Sequence, residues 1–295
     1  MTETPATPFT AAMVQMRTAM HPEASLAEGI RLIREAKDKG ADYVQTPEVS
    51  NIIQQNRKAL FEILAAEEDD LSLKAYRELA SELKIYLHIG SLAVRATPER
   101  AVNRSFLIAP DGGILARYDK IHMFDITLDN GESYRESASY QPGEAAVISD
   151  LPWGRIGLTI CYDMRFPALY RALAEAGASF ITAPSAFTVK TGEAHWHTLL
   201  RARAIENGCY IFAAAQAGKH ESGRETYGHS LIVDPWGEII AEGNGTDTGV
   251  VLAKIDPAKV QSVRKSIPSL QHGRRFGLID PKGGPEHLHL VRGSA

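Results

Sequence analysis

Gly157-Leu-Thr-Ile-Cys161-Tyr-Asp-Met-Arg165-Phe-Pro167 is the stretch on which the reading of this chain turns. A β-branched apolar run stops at a cysteine, and the residues after it read as a turn that opens a helix. A strand ending in a chemical group just before a helix is the pattern of an α/β fold, whose strand ends collect functional side chains. A thiol at such a junction lies near the positive end of a helix, which favours the reactive thiolate. The alternative is a buried cysteine serving as a small apolar residue. A nucleophile needs a base and an oxyanion donor, so the remainder of the chain decides between the two.

Outward from Cys161, short strand-like runs alternate with helical patterns. Strands are predicted over 11–16, 43–46 and 86–91, with amphipathic helices over 23–39 and 71–83. The second helix is expected to present Leu71, Ala75, Leu79 and Leu83 on one face. Pro110-Asp-Gly-Gly113 marks a hairpin between 103–109 and 114–118, and Pro152-Trp-Gly154 another between 146–149 and 155–160. A helix is expected from Cys161 to about residue 176, followed by a strand at 180–183, a helix at 195–207 and a strand at 209–215. Asp234-Pro-Trp-Gly237 joins 230–233 to 238–241, and 249–255 adds a further strand. Hairpins mixed with strand–helix alternation predict mixed sheets covered by helices, with no linker, repeat or low-complexity segment.

Composition narrows the class. Of 295 residues, 44% are apolar and 23% charged, the proportions of an ordinary globular protein. The net charge of −4, with signs mixed throughout, gives no basic surface for nucleic acid or acidic lipid. Cys161 and Cys209 are the only cysteines, which excludes a disulfide scaffold and suits a reducing compartment. No signal peptide and no membrane span is evident, so a cytoplasmic location is expected. Cys209, within Gly208-Cys-Tyr-Ile-Phe212, reads as structural.

Glu48, Lys120 and Cys161 each follow a predicted strand. Alone, a glutamate or lysine of this kind is more often a solvated charge. Together, Thr46-Pro-Glu48, Tyr118-Asp-Lys120-Ile-His-Met-Phe124 and Cys161-Tyr-Asp-Met-Arg-Phe-Pro167 resemble the three signature blocks of the nitrilase-like carbon–nitrogen hydrolases. The resemblance continues through Ala183-Pro-Ser-Ala-Phe187, Thr191-Gly-Glu-Ala-His-Trp196, Arg201-Ala-Arg-Ala-Ile-Glu206, Tyr227-Gly-His-Ser230 and Asp234-Pro-Trp-Gly237, and so spans residues 10–276. It points further to the Nit branch of ω-amidases and deaminated-glutathione amidases. The fold it implies is α/β, a four-layer αββα sandwich assembled into homodimers or larger. The chain then forms one domain over 1–295, with a core over about 10–265 and a C-terminal arm over about 266–295. Phe276 and Leu278 are candidate anchors of that arm on a partner subunit.

By resemblance, Cys161 is the nucleophile, Glu48 the general base and acid, and Lys120 the oxyanion stabiliser beside the Tyr162 backbone N–H. Glu136 matches the family's second glutamate. These types suit amide hydrolysis: thiolate attack gives a thioester and expels ammonia, after which Glu48 activates water. Lys120 is expected to lower the thiol pKa. Arg165, four residues after Cys161, is the candidate grip for a substrate carboxylate, with Phe187 and Thr191 beside it. Neither a cofactor nor a metal is expected, because His195 and His197 point roughly 200° apart on a helix and His287 and His289 lack an acidic or thiol partner. The expected substrate is a small carboxylate-bearing primary amide. A nitrilase, an N-carbamoyl amino acid hydrolase or a non-catalytic binding protein are the competing readings.

Overall fold

The strand Phe9–Gln15 (β1) is buried along nearly its whole length, as a strand covered on both faces must be. The computed structural model describes residues 7–129, 131, 133–274, 276–278 and 289–291. After β1 come β2 (Tyr43–Gln45), β3 (Tyr86–Arg95), β4 (Ala101–Ile108) and β5 (Ile114–Asp119). Helices α1 (Pro22–Asp38), α2 (Arg57–Ile63) and α3 (Leu71–Leu83) lie between the first of these. A small hairpin, β6 (Asp125–Thr127) with β7 (Ser133–Arg135), precedes β8 (Val147–Leu151), β9 (Gly154–Leu158), β10 (Ala178–Thr182) and β11 (Tyr210–Ala213). Their crossovers are α4 (Pro167–Glu175) and α5 (Val189–Asn207). A second hairpin, β12 (Ala217–Lys219) with β13 (Glu225–Tyr227), leads to β14 (Leu231–Val233), β15 (Ile239–Glu242) and β16 (Gly249–Ile255). Helix α6 (Ala258–Ser266) and the pair β17 (Phe276–Leu278) and β18 (His289–Val291) complete the described chain.

Two six-stranded mixed sheets result, ordered β16-β1-β2-β3-β4-β5 and β15-β14-β11-β10-β9-β8. Each has three parallel strands at its centre, β1-β2-β3 in one and β9-β10-β11 in the other. Their inner faces meet through rings: Phe9 against Phe180 at 5.5 Å and Tyr43 against Phe212 at 5.3 Å between centroids. Gln45 Nε2 donates to Phe212 O across the same seam at 3.1 Å. Outside, Leu32, Ile33, Tyr76 and Leu79 of α1 and α3 cover the first sheet. Tyr170, Leu173, Trp196 and Leu200 of α4 and α5 cover the second. The layers run helix, sheet, sheet, helix, because strands apolar on both faces must be covered on both. No helix among the described residues is long and apolar enough to cross a membrane.

Three local expectations change. Helix α3 buries Ser72, Leu73, Tyr76, Leu79 and Ala80, while Leu71 is 38% exposed. A strict i+4 spacing drifts by about 40° at each step. Leu71, two steps from Leu79, therefore turns to solvent, while Leu83, one step away, packs partly buried against the same cluster. The predicted continuous helix after Cys161 is a 3₁₀ turn, Cys161–Arg165, followed by α4 from Pro167. Phe166 separates them at φ −112°, ψ 89°, since a residue before proline is driven out of the helical region. Helix α5 begins at Val189, not at the expected 195, and so starts more than one and a half turns early. In the tail Phe276 is 59% exposed, and the Leu278 side chain lies outside the described residues.

Candidate active site

Glu48, Lys120 and Cys161 leave their sheets at neighbouring strand ends, after β2, β5 and β9. Two of the turns are strained. Val49 has φ +50° and Cys161 φ +49°, a region L-residues seldom occupy outside functional sites. The first turn is held by Val49 N–H and Ser50 N–H, which donate to Ser91 Oγ at 2.8 Å and Ser91 O at 2.9 Å. It closes against the second sheet only because residue 90 is glycine: a Cβ there would lie 2.1 Å from Thr46 O and 2.5 Å from Pro184 Cβ. Cys161 N–H donates to Pro184 O at 2.9 Å. Fully buried Asp163 fixes the same turn, accepting from Ile160 N–H at 2.8 Å, Tyr118 Oη at 2.7 Å and His122 N–H at 3.1 Å. The hydrogen bonds closing the turn use the N–H groups of Cys161 and Asp163, and neither uses that of Tyr162.

Lys120 sits between two carboxylates. Its Nζ donates to Glu48 Oε1 at 2.8 Å and to Glu136 Oε1 and Oε2 at 3.0 and 2.9 Å. Glu48 Oε2 accepts from Ala186 N–H at 2.8 Å, and Glu136 Oε2 from Phe124 N–H at 2.7 Å. Asn103 Nδ2 spans both acids, 3.0 Å from Glu48 Oε1 and 3.2 Å from Glu136 Oε1. The Cys161 thiol stands beside the Glu48 carboxylate, close enough for each to act on the other's proton.

Burial alone would neutralise these groups, yet the charges sustain one another. Desolvation pushes Glu48 up, and the Lys120 charge and hydrogen bond outweigh it, leaving the carboxyl below its ordinary range. Desolvation pulls Lys120 down, and Glu136 and Glu48 overcome it, so the ammonium stays charged. Cys161 moves the other way: burial, then the Glu48 charge, raise the thiol well above its ordinary value, and Lys120 only partly opposes them. Lys120 does lower the thiol, as expected, but its effect is outweighed by burial and by Glu48. The resting pair is a thiol beside a carboxylate.

These groups form the floor of a cavity of about 660 Å³. Phe187 and Thr191 line it, with Thr191 Oγ1 2.7 Å from Thr188 Oγ1. Arg165 and the Tyr162 side chain are not among the lining residues. The Arg165 guanidinium instead stacks on the rings of Tyr162 and Phe187, at 5.8 and 5.4 Å, and meets His195 Nδ1 at 3.3 Å. The cations at the cavity are Arg57, Lys120, Arg135, Lys190 and Arg224. Lys190 pairs with Asp129, and Arg57 donates to Glu99 O. Arg224 donates to Ala186 O and lies over the Tyr134 ring, and its buried Nε has no partner among the described residues. Asn103 and Arg224 gave no signal in the sequence, being a polar residue within a strand and a charge in a hairpin turn. Cys209 is fully buried away from the cavity, and burial pushes its thiol up to about 12.

Comparison with known proteins places this geometry. The carbon–nitrogen hydrolase profile matches residues 10–265. The deaminated glutathione amidase of Yersinia enterocolitica is 40% identical over 275 residues, 92% of this chain and 95% of that protein. The probable hydrolase nit2 of Schizosaccharomyces pombe is 38% identical, covering 91% and 99%. Among solved structures, Saccharomyces cerevisiae Nit3, a nitrilase-superfamily member, superposes with TM-score 0.79 at 29% identity, covering 88% of this chain and 94% of its own. A mutant amidase from Nesterenkonia sp. AN1, whose active-site cysteine has added acrylamide, gives TM-score 0.74 at 25% identity over 88% and 98%. With the family profile matching most of its length, this chain belongs to the carbon–nitrogen hydrolase family.

Proposed function

We propose that this protein is a cysteine-dependent amidase for carboxylate-bearing amides of the deaminated-glutathione type. The observation behind this reading is the buried cluster of Glu48, Lys120, Glu136 and Cys161 on the floor of one cavity. The relatives' names and the acrylamide adduct of the Nesterenkonia enzyme support it. Glu48, ionised and beside the thiol, takes its proton as sulfur attacks the amide carbonyl. Lys120 and the Tyr162 N–H face the developing oxyanion. Glu48 then returns the proton to the leaving nitrogen, the C–N bond breaks, and a thioester remains on Cys161. A water deprotonated by Glu48 attacks the thioester, the C–S bond breaks to free the acid, and the departing Cys161 sulfur takes the proton back from Glu48. Glu136 and Asn103 keep Lys120 and Glu48 in register.

The cavity volume lies well within the range that encloses a ligand larger than a four- or five-carbon amide. Arg224, with its unpartnered buried Nε, is the group we assign to a substrate carboxylate. The leaving group separates the candidate substrates. Deaminated glutathione contains only secondary amides, so its hydrolysis frees an amine, whereas an ω-amide such as 2-oxoglutaramate frees ammonia. The test is a panel of deaminated glutathione, 2-oxoglutaramate, a nitrile and an N-carbamoyl amino acid, scored for amine and ammonia release. Turnover of deaminated glutathione, abolished by Cys161→Ser, is the expected result. Turnover confined to the nitrile or the carbamoyl compound would overturn the assignment.

A further inference from the structure

Away from the catalytic cavity, His197 on α5, His229 in the turn before β14 and Glu242 at the end of β15 converge. His197 Nε2 and His229 Nδ1 each lie 2.8 Å from the same carboxylate oxygen, Glu242 Oε1. One potential ligand atom from each residue falls within 4.8 Å of the other two. We propose that these three residues bind a divalent transition metal, zinc foremost, at a site separate from amide hydrolysis.

Two imidazoles and one carboxylate are a donor set that zinc accepts, at about 2.0–2.2 Å per ligand. Ligand atoms around a tetrahedral ion at that distance stand about 3.3 Å apart, more than the 2.8 Å of the two histidine–carboxylate contacts and less than the 4.8 Å within which all three atoms lie. Small rotations of the two rings therefore admit the ion. The residues are half-buried or exposed, leaving room for a water as fourth ligand. Imidazole and carboxylate favour zinc, nickel, cobalt or copper over magnesium or calcium.

The scaffold around the site is firm. His229 has φ +54°, and its N–H donates to Asn244 O at 3.0 Å. The neighbour of His197, Trp196, donates from Nε1 to His229 O at 2.9 Å, which locks α5 to the turn. The rings of Tyr227 and His229 lie 4.5 Å apart. His197 Nε2 and His229 Nδ1 both face Glu242, and each ligates through that near nitrogen in the tautomer that carries its proton on the far one. The bound ion would clamp α5 to the edge strand of the second sheet. Because α5 begins with Val189, Lys190 and Thr191 of the cavity wall, the clamp would stiffen that wall without entering the chemistry.

The test titrates Zn²⁺ and then Co²⁺ into the chelator-treated full-length protein. One zinc per chain is expected, with a rise in Tm, and His197→Ala and Glu242→Gln should each weaken binding by at least about tenfold. Glu242→Gln preserves shape and hydrogen bonding, so it reads out ligation if the His197 variant is misfolded. Cobalt should give the visible bands of a nitrogen–oxygen site with no thiolate charge-transfer band. Absence of saturable binding, binding indifferent to both substitutions, or binding lost only in Cys161→Ser would overturn the proposal.

Discussion

At Cys161 and Glu48 the acid–base work is divided by surroundings. A thiol desolvated beside a carboxylate stays protonated, and the same carboxylate, held ionised by Lys120, is placed to remove that proton. Glu48→Gln removes the charge that raises the thiol and leaves Lys120, which lowers it. The thiol pKa should therefore fall, as read by ultraviolet thiolate absorbance, while kcat falls by about a hundredfold to ten-thousandfold. A thiol pKa that rises or stands still would contradict this electrostatic account. The arginines make a paired prediction. Arg224→Ala should raise KM for carboxylate-bearing amides about tenfold to a hundredfold, the worth of a hydrogen bond to a charged group. Arg165→Ala should change it by less than about threefold, because its guanidinium lies behind Phe187. Steady-state kinetics on one amide with and without a carboxylate checks both. The sequence pointed to Arg165 by spacing, since residues four apart share a face of an α-helix. In the 3₁₀ turn that forms, each residue advances about 120°, so Arg165 is rotated about 120° from Cys161.

At the level of elements, the site depends on two sheets closing on each other at their strand ends. Gly90 on β3 is the contact point, and Gly90→Ala would drive a methyl into Thr46 O and Pro184. A loss of about 1–3 kcal/mol in unfolding free energy is expected. Denaturant melts and kcat should both fall, because the same loop holds Glu48. The hairpin of β12 and β13, which presents Arg224, is tied down by His220. Its Nδ1 faces Thr18 O at 3.0 Å and its Nε2 faces Thr226 Oγ1 at 2.8 Å. Burial lowers this imidazole to about 4 in the folded protein. Unfolded, it takes a proton near 6.5, so stability is full above about 6.5 and falls as pH drops toward 4, by up to about 1.4 kcal/mol per pH unit. His220→Gln should flatten that acid slope in denaturant melts, and an unchanged slope would reject the assignment. Most elements were legible from periodicity and from the Pro and Gly turns at 110–113, 152–154 and 234–237. Helix α5 started early because Val189–Gly192 is poor in helical signal and is held instead by packing of Gly192 under the Tyr227 ring.

For the molecule as a whole, two large apolar side chains stand exposed beside each other on the α5 face of the sandwich. Ile205 at the end of α5 is 52% exposed and Trp236 59%, with Gly237 seated directly on Ile205. We propose that this face pairs two copies of the chain, in keeping with the dimer expected from the sequence. Light scattering at micromolar concentration should give twice the 32.2 kDa chain mass, and Trp236→Glu should lower it toward one. A monomeric mass for the unmodified protein would reject the pairing. By itself the sequence determined the α/β class, the positions of most core strands along the chain and the types of the three central groups, Glu48, Lys120 and Cys161. Such features are written in local periodicity, turn residues and motif spacing, which act over a few residues. Tertiary structure alone decided that Asn103 bridges two carboxylates, that Arg224 enters the cavity while Arg165 does not, and that the thiol is held protonated. Those outcomes depend on distances between residues far apart in the chain and on how much water each group loses, and neither is encoded in any one segment.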